Sequence, residues 1–450
     1  MSDDDRDRDE EIRELLRELL SGNGDIDPAR LANVAGLPAD PALIAQLMSQ
    51  LQNAVQSSGD GVNWTLALDQ ARSMASRTAV VTLPEERTAL EQSFHIASLW
   101  LSEATAITEL TTAPRFLSRT EWVTSTMPVW TELAEPVVSS IADALAEVLR
   151  QQTADGMDGL DDELGGLMAG AGPMVRNIGN TLFAMQLGAV VGQLASEVVS
   201  GGDVGIPLLL GGDGEQQAAM IPQNVHAFAS GLDVPVDQVQ LFLAVRELAH
   251  ARLFRHAKWL GLQVMTTVSE ASHGVGIDTA RLEETVADFD PQRPETLRDA
   301  LANGEFITRE NSHQLGRLET TLALIEGWVD VVTAQATTRL PKSDAIAETV
   351  RRRRATGGPA ESAFATLVGL ELRPRRLREA AAMWQRLTDA VGADARDALW
   401  SHPDLMPTAE DITDPEALIA RVSGGPVAPD DVDEAIERLL DDDSGDRPTE

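Results

Sequence analysis

The sequence predicts a mainly α-helical protein, and three observations carry that prediction. Apolar residues recur at helical spacing through two long stretches, Val236 to Leu260 and Gln314 to Ala334. A further helical pattern runs from Val62 to about Leu149, with Trp64, Trp100, Trp122 and Trp130 as large apolar anchors. Against these, one segment reads as β: Ile206 to Leu210 and Ala218 to Ile221 flank a Gly/Asp turn, which is a signal for a small hairpin.

In chain order, residues 1–58 form an acidic leader with short helices, partly disordered. Ile12, Leu15, Leu16 and Leu19 share one face, and a second short helix is expected from Pro41 to Val55. Residues 59–200 make a helical domain in which Pro84, Pro114 and Pro128 mark helix starts or breaks. Within it, residues 153–172 are rich in Gly and Asp and read as a mobile loop. A helix follows from Met174 to Val199, where Gly188 and Gly192 lie four apart and so face a neighbouring helix together.

Residues 201–407 form the core. Its first helix opens with Asp237 and Gln240 in a variant capping box and lines up Phe242, Val245, Ala249 and Leu253. Its second lines up Leu315, Leu318, Leu322, Ile325 and Val329. A run of four arginines, Arg351 to Arg354, precedes a last helical portion from about Arg375 to Leu399. These arginines, with Arg373, Arg375, Arg376 and Arg378, are expected to pair with the chain's own acidic surface or, alternatively, to form an anion or peptide-carboxylate dock beside the site. Residues 408–450 close the chain as an acidic tail.

Composition removes whole classes of function. The 450 residues carry 36 basic against 72 acidic side chains, a formal charge of −36. Such a surface repels phosphate backbones and anionic lipid, so neither nucleic acid nor membrane is an expected partner. With no Cys there is no thiol nucleophile, disulfide or cysteine-held metal, and with no Tyr there is no tyrosyl acid or base. The start MSDDDRDRDEE is the opposite of a secretory signal, and no run of about 18 apolar residues occurs, so a cytoplasmic protein is expected. GGDGEQ is followed by no G-K-[ST], and no G-x-S-x-G elbow occurs; neither a nucleotide, a flavin nor a serine nucleophile is expected.

The chemistry gathers on the first core helix, in VRELAHARLFRHAKWL. In H-E-x-x-H, two His one turn apart ligate one metal and the Glu between them takes a proton from the bound water. Here the five positions read Arg246, Glu247, Leu248, Ala249, His250: the base and the second His are present and the first His is Arg.

Four segments resemble an uncharacterised zincin-like family, common in actinobacteria, of zinc-dependent metalloproteases or hydrolases. They are IPQNVHAF, RELAHARLFRHAKWL, LETTLALIEGWVDVV and RRRRATGGPAESAFATLVGLELRPRRLREA; the upstream VNWTLALDQAR is similar too. The resemblance spans about four-fifths of the chain and implies a zincin-like core in which an active-site helix meets a Glu-bearing helix. It makes Glu247 the general base, His250 a ligand, and Glu326 a ligand through the pattern Glu326-x-x-x-Asp330. Asp330 would orient the first-helix residue.

Arg246 breaks the set. A guanidinium has no lone pair for a metal, which leaves two matched ligands where catalytic zinc normally has three. Three outcomes stay open. Another side chain completes the set, with His256, Glu319, His226 and His313 as candidates. Alternatively the metal is held weakly by two ligands or lost. Finally, Arg246 itself replaces it, pairing with Glu326 and Asp330. The first function expected is therefore a zinc-dependent metallopeptidase-like hydrolase cleaving peptide or amide bonds with a metal-activated water. The alternative is a non-catalytic zincin relative that binds a protein or peptide. Trp259 and Trp328, beside the two motifs, are expected as core anchors. A strand beside the active-site helix is a candidate edge for extended peptide, from Ile206 to Leu210 or Ala218 to Ile221.

Overall fold

The computed structural model describes residues 61–156, 179–209 except 182, 217–273, 275–278, 307–309, 312–355 and 376–424. The expected leader, the Gly/Asp-rich stretch beyond 156 and the tail beyond 424 lie outside the described residues.

The fold is mainly α. In chain order the helices are α1 (Trp64–Arg77), α2 (Pro84–Ala104), α3 (Arg119–Gly156), α4 (179–195), α5 (Pro222–Ser230), α6 (Val236–His256) and α7 (Lys258–His273). These are followed by α8 (Ser312–Ala336), α9 (Ser343–Ala355), α10 (Leu377–Ala398), α11 (Ala409–Thr413) and α12 (Pro415–Ser423). Local signals set several boundaries. The Asn63 side chain accepts the Leu66 N–H at 3.2 Å to start α1. Pro84 opens α2, where its missing N–H costs nothing. Pro128 does not break the chain as expected: it lies inside α3 with Pro136, and Trp122 and Trp130, both buried, hold that helix against the core on either side of it. The capping box expected from Asp237 is absent as well, since the cap residue of α6 is Pro235 and no side chain bonds there.

The centre of the molecule is the pair α6 and α8. Every residue from Leu241 to Phe254 and from Thr321 to Thr333 is buried, the mark of helices enclosed on all sides rather than on one stripe. α2 covers α6, α10 covers α8, and α7 packs on α8, α3 and α6. Glycine permits the closest approaches. A Cβ on Gly327 of α8 would sit 2.8 Å from the Ala381 nitrogen of α10, and one on Gly188 of α4 would sit 2.5 Å from the Ala67 carbonyl of α1. Trp328, Trp384 and Trp400 form an aromatic knot, with ring centroids 6.4 and 5.4 Å apart. The buried Asp397 carboxylate ties that knot to the chain just after α2 by accepting the Trp328 indole N–H at 2.9 Å and the Ala106 N–H at 2.8 Å. Trp259 is half-buried and donates to the Trp400 carbonyl at 3.2 Å. Both tryptophans beside the motifs are core anchors.

The β structure differs from the expected hairpin. β1 (Arg115–Phe116) pairs in parallel with β2 (Ala219–Met220). β3 (Val275–Ile277) pairs antiparallel with β4 (Ile307–Arg309). Among the described residues, the Gln217 N–H, just before the second run expected in the hairpin, donates to the Leu209 carbonyl of the first at 3.1 Å. β2 instead lies between β1 and the 199–201 backbone: Arg115 and Leu117 donate to it on one side, and Gly201 donates to the Ala219 carbonyl on the other. Its edges are filled, so it offers no ladder to an extended peptide. Among the described residues, no helix is long and apolar enough to cross a membrane.

Candidate functional site

Helical spacing builds the site. Arg246 and His250, at positions i and i+4, occupy one side of α6, and Glu326 faces them from α8; Glu247 lies about 100° round the helix from Arg246. The side chains meet deep in the fold: Glu247 is 1%, His250 2% and Glu326 1% exposed. The expected convergence of one imidazole and one acidic group is present, with His250 Nε2 3.3 Å from Glu326 Oε1. That contact lacks hydrogen-bond alignment.

Two guanidinium groups hold the same carboxylate. Arg246 Nη2 donates to Glu326 Oε2. Arg354, from the last turn of α9, places Nη1 2.5 Å from Glu326 Oε1. Burial alone would raise the Glu326 pKa, but Arg354, then Arg246 and His250, reverse that and hold it well below the usual carboxylate range. His250 is shifted down because burial penalises its charged form more than Glu326 favours it.

Glu247 points elsewhere. Its Oε2 accepts the Gly202 N–H and its Oε1 the Ala219 N–H, each at 2.8 Å. It is a strut that ties α6 to β2 and to the 200–205 loop. Burial pushes its pKa up to about 7, against the pull of those amide donors. The loop lies so close that only glycine fits: a Cβ on Gly201 would be 2.7 Å from Glu247 Oε1, and one on Gly202 would be 2.7 Å from His250 Cγ.

The remaining expected residues fall into place around this centre. Asp330, expected to orient Arg246, is bound instead by Arg351, whose Nε donates to its Oδ2 at 3.0 Å and Nη2 to the same oxygen at 2.9 Å. His256 and His226 are exposed, and Glu319 is half-buried two turns before Glu326 on α8; the His313 side chain is outside the described residues. Among the described residues, no three His, Asp or Glu side chains converge on a point that would hold a metal.

Among the described residues the donor set therefore falls short of zinc, which takes three or four nitrogen, oxygen or sulfur donors. Of the residues that match the metal-binding pattern, two are donors, and both oxygens of one of them already face a guanidinium. The residue missed in the sequence is Arg354. Arg351 and Arg354 lie one turn apart, on the same side of α9 as the buried Ala347 and Val350, so an inward-facing pair was legible; the partner on α8 was not.

Two predictions follow from these charges. Glu326→Gln leaves Arg246 and Arg354 buried without an anion, and is expected to lower the unfolding free energy by about 3–5 kcal/mol. Adding Arg354→Gln should restore part of that loss, as read by urea denaturation in a double-mutant cycle. For Glu247 the folded pKa lies above the unfolded value, so the folded state binds the extra proton between about pH 4.5 and 7. Its contribution is present below that window and lost as pH rises through it. Relative to wild type, Glu247→Gln should thus gain about 1–3 kcal/mol between pH 4.5 and 7.5, and a flat difference would contradict the shift.

Comparison with known proteins accords with this core. A crystal structure from Chloroflexus aurantiacus, described as that of a proposed hydrolase with a novel fold, superposes with a TM-score of 0.53 at 16% identity, covering 80% of this chain and 99% of that one. No curated protein matches the chain. A sequence model of the zincin-like metallopeptidase family matches residues 62–419. That is most of the chain, and the protein belongs to the zincin-like metallopeptidase family.

Proposed function

We propose that this chain is a non-catalytic member of its family, in which arginine supplies the positive charge that a metal supplies in zincins, and which binds a peptide or protein without cleaving it. The observation that carries the reading is the double engagement of Glu326 by Arg246 and Arg354. A divalent ion at that carboxylate would sit against two fixed cations, one donor short of its usual set.

The state of Glu247 supports the same conclusion. A general base needs a free oxygen within hydrogen-bond reach of the water it deprotonates. Both Glu247 oxygens accept backbone N–H groups, and the carboxylate is enclosed. Its raised pKa is in the range of a working base, which favours the hydrolase reading, but here it arises from burial in a strut.

For the partner, a cleft of about 380 Å³ opens on the opposite side of α6. It is lined by Phe94 and Ser98 of α2, by Pro114 and Phe116, and by Leu248. Arg115 and Leu117 donate inward to β2. By strand alternation the Phe116 N–H and carbonyl point outward, where an extended chain adds most readily.

Elemental analysis of protein purified from zinc-supplemented medium should give much less than one zinc per chain. Arg246→His combined with Arg354→Gln should raise zinc uptake. Incubation with a degenerate peptide library should yield retained, uncleaved peptides by mass spectrometry. Stoichiometric zinc in the wild type, or cleavage lost in Glu247→Gln, would establish the hydrolase instead.

A further inference from the structure

We infer that the cleft between α2 and the 110–116 segment receives the C-terminal end of a peptide, with the terminal carboxylate at Ser98 in front of Arg252 and an apolar last side chain against Phe94, Phe116 and Leu248. The inference deepens the peptide-binding reading and rests on it: it names the part of the peptide that enters and the direction in which it runs.

The cleft has two unlike ends. Arg87, Glu91, Phe94 and Ser98 follow one another along α2, about one turn apart, and face it. The 110–116 segment runs back along the other wall. Phe116 packs edge-on against Phe94, with ring centroids 5.8 Å apart, and lies under the Arg87 guanidinium, whereas Glu109 meets Ser102, one turn beyond Ser98. At the Arg87 end the charges are balanced, since Arg87 Nε donates to Glu91 Oε1 at 3.2 Å.

At the Ser98 end they are not. Arg252 of α6 is 1% exposed. Its Nη2 donates to the Ser98 carbonyl at 3.1 Å and to the Ser98 hydroxyl at 2.9 Å, and its Nη1 to the Ser102 hydroxyl at 3.2 Å. Its Nε is buried without a hydrogen-bond partner, and the Glu109 carboxylate, itself half-exposed, stays 3.8 Å away. Other buried arginines are better served. Arg246 contacts Glu326 and Arg396 contacts Asp397. Arg119, which bonds no carboxylate, uses all three nitrogens on Asn224, Thr78 and Ser196. Burial accordingly lowers the Arg252 pKa more than Glu109 raises it. A buried cation short of its anion makes the nearest polar surface attractive to negative charge. That surface is the Ser98 hydroxyl, whose oxygen accepts from Arg252 and whose proton is left to donate into the cleft.

The same end is closed, which selects a chain terminus over an internal acidic residue. Ser102 Oγ donates to Glu109 Oε1 at 2.8 Å, and Arg255 Nη1 of α6 donates to the Glu109 carbonyl at 2.6 Å. These bonds tie both helices to residue 109 just past Ser98. A peptide entering beside Arg87 therefore stops at Ser98, where an α-carboxylate meets the unbalanced cation. It runs antiparallel to the 110–116 segment, and its last side chain lies among the apolar lining.

Anisotropy titrations of the full chain test this with short fluorescein-labelled peptides, randomised except for a final Leu or Phe and prepared as free acids and as C-terminal amides. The free acids should bind about tenfold or more tighter than the amides. Thr112→Trp, on the exposed rim, should weaken both pools. Ser98→Asp places a fixed carboxylate before Arg252 and should abolish the preference for the free acid. Glu109→Gln removes the competing negative charge and should tighten free-acid binding about threefold while leaving the amides unchanged; being exposed, it carries the test should Ser98→Asp fail to fold.

Equal binding of acids and amides, with both blocked by Thr112→Trp, would overturn the carboxylate assignment and leave the cleft as a peptide site. Binding of neither pool, or a Thr112-sensitive dimer in sedimentation, would overturn the peptide terminus as its occupant. Cleavage of the bound peptides would refute the non-catalytic reading alone, and a free-acid preference retained in Glu247→Gln would still support the inference.

Discussion

Glu326 sits where two enclosed helices cross, and a carboxylate taken out of water there requires cations at contact distance. An ionised carboxyl group in a protein interior is too costly to stand alone. The family's architecture places that demand at the junction of α6 and α8, and a divalent metal is one way to meet it. In this chain Arg246 from α6 and Arg354 from α9 meet it. Much else follows from this balance. α9 is drawn onto α8, Arg351 is set against Asp330, and the 197–205 loop is pulled across His250 by Arg353 and Arg354.

The same interaction explains why residues of the metallopeptidase pattern persist with different duties. His250 keeps its position beside Glu326 but lies under glycine backbone. Glu247 keeps its position after Arg246, yet both its oxygens fasten α6 to neighbouring backbone. A carboxylate held by two amides is a good strut and a poor base, because abstracting a proton would mean giving up one of those bonds. On the proposed reading, arginine in place of a first-helix histidine would change more than a ligand: it would replace a removable cation by covalently attached ones.

The mainly helical fold was legible because α6 and α8 carry apolar residues at helical spacing over several turns, and Glu247, His250 and Glu326 were legible because their spacing matches a motif whose geometry is fixed by one helical turn. The hairpin signal found the strand at Ala219–Met220 but not its pairing with β1. Two apolar runs around a Gly/Asp turn are a local signal, but β2 pairs with Arg115 and Phe116, about a hundred residues upstream, and strands of two residues leave no periodicity to find. The Arg354 partner was hidden for a related reason. A run of four arginines marks a basic helix end wherever it occurs, and only the tertiary path of α9 shows that one of them reaches a buried glutamate.

The most direct measurement is X-ray diffraction from crystals of the wild-type protein equilibrated with excess zinc, recorded at the zinc absorption edge. The account predicts no anomalous peak at the α6–α8 junction, with both guanidinium groups still against Glu326. A peak at about 2.0–2.1 Å from the His250 nitrogen, with Arg354 displaced from the carboxylate, would contradict it.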